Sequence, residues 1–122
     1  MSMIIPNWNA PKNVKAFAST RFDGFSTGAY QGLNLGTHVG DDASLVERNR
    51  IWLTQHANMP VAPVWLNQTH STDVVTVLEP TTNVLDADGA FTTASGVVCS
   101  AMTADCLPVI LTDTKGTQVA AV

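Results

Sequence analysis

The chain has 122 residues, 45% hydrophobic and only 13% charged, with six Lys and Arg against ten Asp and Glu for a formal charge of −4. So few charges imply that much of the chain is buried or covered by more protein, and the lack of a basic run argues against nucleic acid as the main partner. No stretch approaches the ~18 uninterrupted apolar residues of a membrane span, and "MSMIIPNWNAPKNV" lacks the charged and apolar regions of a secretion signal, so the expected address is cytoplasmic.

In chain order, "VKAFASTRF" at 14–22 alternates well enough to predict a strand. It runs into "DGFSTGAYQG", a Gly-rich loop that matches neither a P-loop nor a dinucleotide-binding fingerprint. "LNLGTHVGDD" reads as extended chain or loop, with Gly36 and Gly40 bracketing His38. Asp41 or Asp42 then caps a helix over "ASLVERNRIWLTQHA", with Leu45, Ile51, Trp52 and Leu53 near one face and a stop near Asn58–Pro60. "APVWLNQTHS" and "TDVVTVLE" predict two strands, and "DADGAFTT" a turn with a short strand after it. "GVVCSAMTAD" and "LPVILTDT" read as β-rich, and Lys115–Gly116 link the latter to "TQVAAV" as a hairpin. One helix among many short strands gives a mixed α/β or α+β domain spanning 1–122. "GTQVAAV" rises in apolarity and stops at Val122 without a polar residue, turn or cap, so the chain reads as part of a longer protein.

The chemistry-bearing residues gather where apolar runs turn polar. "SAMTADCLPVIL" sets Asp105 and Cys106 side by side with Pro108 close behind, a break that presents a thiol at a strand end. His70 stands at a similar transition, 36 positions earlier. Imidazole and thiolate are zinc or copper ligands, and two donors need at least a third from protein to hold a catalytic zinc. The plainer readings are a surface or capping histidine for His70 and a small buried hydrophobe for Cys106. Cys99, inside "VVCSAM", is assigned to the hydrophobe role, and a reducing cytosol argues against a Cys99–Cys106 disulfide. His38 reads as a loop histidine bonded to backbone or as a third ligand, and His56 as a solvent-facing residue favourable to the helix dipole. Arg21, beside the Gly-rich loop, grips a phosphate or carboxylate through its planar fork or pairs with an acid such as Asp23. Asp105 orients a ligand, acts as a base, or caps a turn. Asp86 and Asp88 read as turn formers.

Taken together, "STRFDGFSTGAYQGLNLGTHVGDD", "ERNR", "PVWLNQTHSTDV", "DADGAFT" and "VCSAMTADCLPVILTD" resemble the laccase-domain family in order and spacing. Its members are also called multicopper polyphenol oxidases, purine nucleoside phosphorylases or peptidoglycan editing factor. The resemblance runs from about residue 4 to the end and implies the N-terminal half of a family member, with a cytotoxic-necrotizing-factor-like fold of mixed sheets flanked by helices. It implies a metal site of His70, Cys106 and a second histidine from a segment that normally follows "TQVAAV". The implied activity is zinc-dependent phosphorolysis of adenosine, inosine, guanosine and methylthioadenosine, a transferase reaction, with adenosine deamination alongside. Arg21 is the cationic candidate available to hold the phosphate, and Gln68 and Asp105, by their own chemistry, are candidates for binding base or sugar. Two other readings attach to the family. A cysteine hydrolase would use Cys106 as nucleophile with the downstream histidine as base and no metal. A copper-dependent phenol oxidoreductase would need several coppers and many histidines, against the three present.

Overall fold

A computed structural model describes residues 3–122. They divide into two compact units: the N-terminal segment to Asn7 with Ala16–Met59, and Trp8–Lys15 with Pro60–Val122.

In the first unit, β1 (Met3–Ile4) pairs antiparallel with β2 (Ala18–Ser19). The strand expected over 14–22 therefore contracts to two residues. Continued in the same register, the ladder would set Pro6 opposite Ala16, and proline has no N–H to donate. The Gly-rich loop closes on itself. Ser26 and Gly32 exchange backbone bonds of 3.1 and 3.0 Å around a single 3₁₀ turn, Gly28–Tyr30. Gly32 is obligatory there: its φ is +114°, and a Cβ would lie 1.8 Å from the Arg21 carbonyl oxygen.

Helix α1 (Ala43–His56) follows. Of the two capping candidates Asp42 takes the role, its Oδ1 accepting from Ser44 N at 2.8 Å and Ser44 Oγ at 2.6 Å. The helix ends in a Schellman motif: Asn58, at φ +53°, bonds Gln55 O at 3.2 Å and Met59 N bonds Thr54 O at 3.1 Å, with Pro60 beyond. The buried face is Val46, Asn49 and Leu53, one heptad in span, whereas Ile51 is exposed. The expected apolar face is thus shifted, because a buried polar side chain occupies its centre. His56 stays exposed in the last turn, stacked on Trp52 with ring centroids 4.1 Å apart and Nδ1 2.9 Å from Trp52 O.

In the second unit, β3 (Leu66–Asn67) pairs parallel with β5 (Leu85–Asp86). A four-stranded mixed sheet contains β4 (Val74–Thr76), β6 (Gly89–Thr92), β7 (Ile110–Thr112) and β8 (Val119–Ala121) in the order β4-β6-β8-β7. β4 and β6 run parallel; β8 is antiparallel to both neighbours. The β7–β8 hairpin forms as expected, its turn held by Asp113, which accepts from Thr117 N at 2.8 Å and from the Thr117 hydroxyl. Val64, Leu66, Val77, Ala87, Ala90 and Val97 form one buried cluster, each Val or Leu contributing about 1.5–3 kcal/mol by burial.

Residues 97–109 differ from expectation. Cys99 makes one parallel bridge with Val64, and no strand follows until β7. The Gln68 side chain bonds the Met102 backbone, so its peptide groups are satisfied without a ladder, and Pro108 removes a further donor. Residues 103–109 are exposed.

Candidate functional site

Two segments of the second unit run side by side in the same direction. Val64 N bonds Val98 O at 2.8 Å, Ser100 Oγ bonds Val64 O at 2.8 Å, and Val64 bridges Cys99. Further along, Gln68 clamps Met102 at both ends of its carboxamide: Nε2 donates to Met102 O at 2.9 Å and Oε1 accepts from Met102 N at 2.7 Å. His70 lies two residues beyond this clamp and Cys106 four, so at most about 7 Å and 14 Å of chain separate them from it. The fold thereby carries both residues off the same end of the paired segments, and both are exposed. Gln68 keeps one N–H and one lone pair for another partner. Asp105 is also exposed, so its charge carries no burial cost.

His70 has φ +62°, a left-handed conformation that costs a non-glycine residue about 1–2 kcal/mol. One side chain holds it there. Asp88 Oδ1 accepts from Thr69 N at 3.0 Å, Ser71 N at 2.9 Å and Ser71 Oγ at 2.7 Å, while Oδ2 accepts from His70 N at 2.9 Å. Asp88 N in turn donates to Asp73 O at 3.0 Å. The Ser71 hydroxyl, with the three loop N–H groups, outweighs desolvation and holds the Asp88 carboxyl down to about 2. Asp88 is therefore more than the turn former its sequence suggests. Its signal was present but weak: an Asp one residue before a Gly-led strand, whose parallel partner starts just after the histidine loop.

Both cysteines are free thiols. Cys99 is half-buried, and burial pushes its thiol up, as befits a packing residue. Cys106 is the accessible one. Among the described residues no cluster of three or more His, Cys, Asp or Glu gathers around a point. The donor set at this end, one imidazole and one thiol, is nonetheless of the type that zinc and copper take.

In the first unit, Arg21 is exposed on an open depression of about 660 Å³ lined by the Gly-rich loop, including Gly24, Ser26, Thr27, Gly28 and Gly32. Its carbonyl accepts from Leu33 N at 3.0 Å, which anchors its backbone. Asn49, fully buried, organises the loop from beneath. Its Oδ1 accepts from Phe25 N at 2.7 Å, and its Nδ2 donates to Ser26 Oγ at 2.9 Å and Asn34 O at 2.8 Å. Arg50 adds Nε and Nη2 bonds of 2.9 and 2.7 Å to Leu35 O, and Arg48 lies 4.0 Å over the Phe25 ring. Ser26 and Asn34 both bind Asp41, and Ser26 above all holds that carboxyl below its ordinary value. His38 is exposed in the next turn of the loop, beside Gly36. Asn49 was visible in the sequence only as a polar position inside an apolar helical stripe.

The family model described as multi-copper polyphenol oxidoreductase laccase matches residues 15–122. The chain belongs to this family. A Haemophilus influenzae purine nucleoside phosphorylase is 48% identical over 121 residues, 99% of this chain and 49% of that protein. The Escherichia coli purine nucleoside phosphorylase YfiH is 44% identical over 119 residues, 98% of this chain and 49% of that protein. The crystal structure of Neisseria meningitidis protein NMB0706 superposes with a TM-score of 0.89 at 48% identity, covering 98% of this chain and 48% of that one. The laccase-domain fold is thus shared, and the chain spans about half the length of the curated relatives it matches. No helix among the described residues is long and apolar enough to cross a membrane.

Proposed function

We propose that this laccase-domain chain is the N-terminal half of a cytoplasmic, zinc-dependent purine nucleoside phosphorylase that takes adenosine, inosine, guanosine and methylthioadenosine and also deaminates adenosine. What supports the reading is the pairing of the 64–68 and 99–102 segments, which His70 follows by two residues and Cys106 by four. His70 and Cys106 are assigned as two metal ligands, and a histidine from the C-terminal half as the third. A zinc ion held there supplies Lewis acidity toward a purine carbon or a leaving group.

The remaining chemistry belongs to the chain's own groups. In phosphorolysis a phosphate oxygen bonds the anomeric carbon of the ribose while the bond from that carbon to the purine nitrogen breaks, and the purine leaves with the proton that the inorganic phosphate gives up. Arg21 is the assigned phosphate contact: a planar, permanently charged fork on a Gly-rich depression pairs two donors with two phosphate oxygens. Asp105, and the unspent N–H and lone pair of Gln68, are assigned to hydroxyls or base edges of the nucleoside.

The exposed Cys106 thiol also supports a second reading, a cysteine hydrolase with Cys106 as nucleophile. Cys106→Ser in the full-length protein separates the two. The phosphorylase reading expects bound zinc and inosine phosphorolysis to be lost together. Turnover abolished with zinc retained at the wild-type level overturns it in favour of the hydrolase.

A further inference from the structure

His70 sits in a backbone conformation that a glycine would adopt at less cost. An imidazole kept there at the expense of strain points to a need for that side chain in that place. The strain is held by a single carboxylate that collects the N–H groups of three consecutive residues and one hydroxyl. We propose that Asp88 is the positioning residue for His70: its carboxylate fixes the 69–71 backbone so that the imidazole is presented as a preorganised donor. This rests on the assignment of His70 as a metal ligand under the proposed function and adds the residue that aims it.

The division of labour between the two oxygens makes the idea testable. Oδ1 carries three of the four bonds, to Thr69 N, Ser71 N and Ser71 Oγ, whereas Oδ2 serves His70 N alone. In Asp88→Asn the carboxamide oxygen keeps the three-bond position, and the new NH₂ group faces the His70 N–H, donor against donor. The replacement is isosteric, so the perturbation falls on the histidine backbone. A second anchor, the Asp88 N bond to Asp73 O, is untouched.

The experiment is a chelator-competition titration of zinc on the full-length protein, run as a double-mutant cycle with His70→Ala. Asp88→Asn is expected to weaken zinc binding by about 10- to 100-fold, the range for residues that orient ligands, and to have no further effect in the His70→Ala background. Equal zinc affinity in wild type and Asp88→Asn, with His70→Ala weakened, overturns the inference and leaves the metal reading standing. An equal loss with and without His70 overturns it as well, because Asp88 would then act through the fold at large. Wild type and His70→Ala binding zinc equally would remove His70 as a ligand and bring down both. Should Asp88→Asn fail to fold, Ser71→Ala removes one of the four bonds, and the same cycle expects a smaller loss that again vanishes without His70.

Discussion

Changing Asn49 to Asp alters one group, NH₂ to O, at a side chain with no solvent exposure. The acceptor for Phe25 N survives, but the two donated bonds, to Ser26 Oγ and Asn34 O, become oxygen facing oxygen. None of the three bonds that Asn49 makes ends on a cation, and Asp41 already shares Ser26. The introduced carboxyl is relieved by taking up a proton, which restores one donor. Keeping a carboxyl of ordinary pKa near 4 protonated at pH 7 costs about 4 kcal/mol at 1.36 kcal/mol per unit, and one donor of two remains missing at about 1 kcal/mol. The expected loss at pH 7 is therefore about 4–5 kcal/mol, a large share of the stability of a small domain. The folded pKa of this carboxyl is raised above its unfolded value, so the native state holds more protons and the penalty shrinks as pH falls toward 5. Urea unfolding of variant and wild type at pH 7 and pH 5 reads both numbers. A loss under 1 kcal/mol at pH 7, or one that is the same at both values, would refute the network as described.

Gly32→Ala sets a methyl group against the Arg21 carbonyl at a φ where side chains cost about 1–3 kcal/mol before any clash; the expected outcome is a raised KM for phosphate with zinc content unchanged, and an unchanged KM would contradict the Arg21 assignment. His70→Gly relieves left-handed strain of about 1–2 kcal/mol against an entropic cost of about 0.5–1 kcal/mol. Calorimetry of the metal-free variant should thus show a Tm equal to or above wild type while zinc binding is weakened. Asp41, Asp42 and Asp113 are all held below the ordinary carboxylate value, chiefly by Ser26, Ser44 and Thr117 respectively. Their contribution is complete above the ordinary carboxylate range and is lost as pH falls below that range through their lowered values, so far-UV circular dichroism should show acid unfolding that Ser26→Ala moves to higher pH.

The helix was legible because its cap, its periodicity and its Asn58–Pro60 stop are local chemistry, encoded within a few residues of where they act. The β7–β8 hairpin was legible for the same reason: Asp113, Lys115 and Gly116 define its turn. The 97–109 segment was not, since β-branched and apolar residues suit a strand, and only the tertiary Gln68–Met102 clamp ends it. His70 and Cys106 could be named from the transitions around them, but their delivery to one end depends on a parallel pairing between segments that no spacing reveals. Asp88 escaped notice because "DADG" is ordinary turn chemistry, and what sets it apart is a loop that approaches from 17 to 19 positions away.

The central claim is that an imidazole and a thiolate from this chain share one cation. X-ray absorption at the zinc edge of the loaded full-length protein tests it without reference to activity. The account predicts one sulfur scatterer at ~2.3 Å with nitrogen neighbours near ~2.0–2.1 Å, and loss of the bound zinc itself in Cys106→Ser. A zinc shell of nitrogen and oxygen alone in the wild type would contradict it.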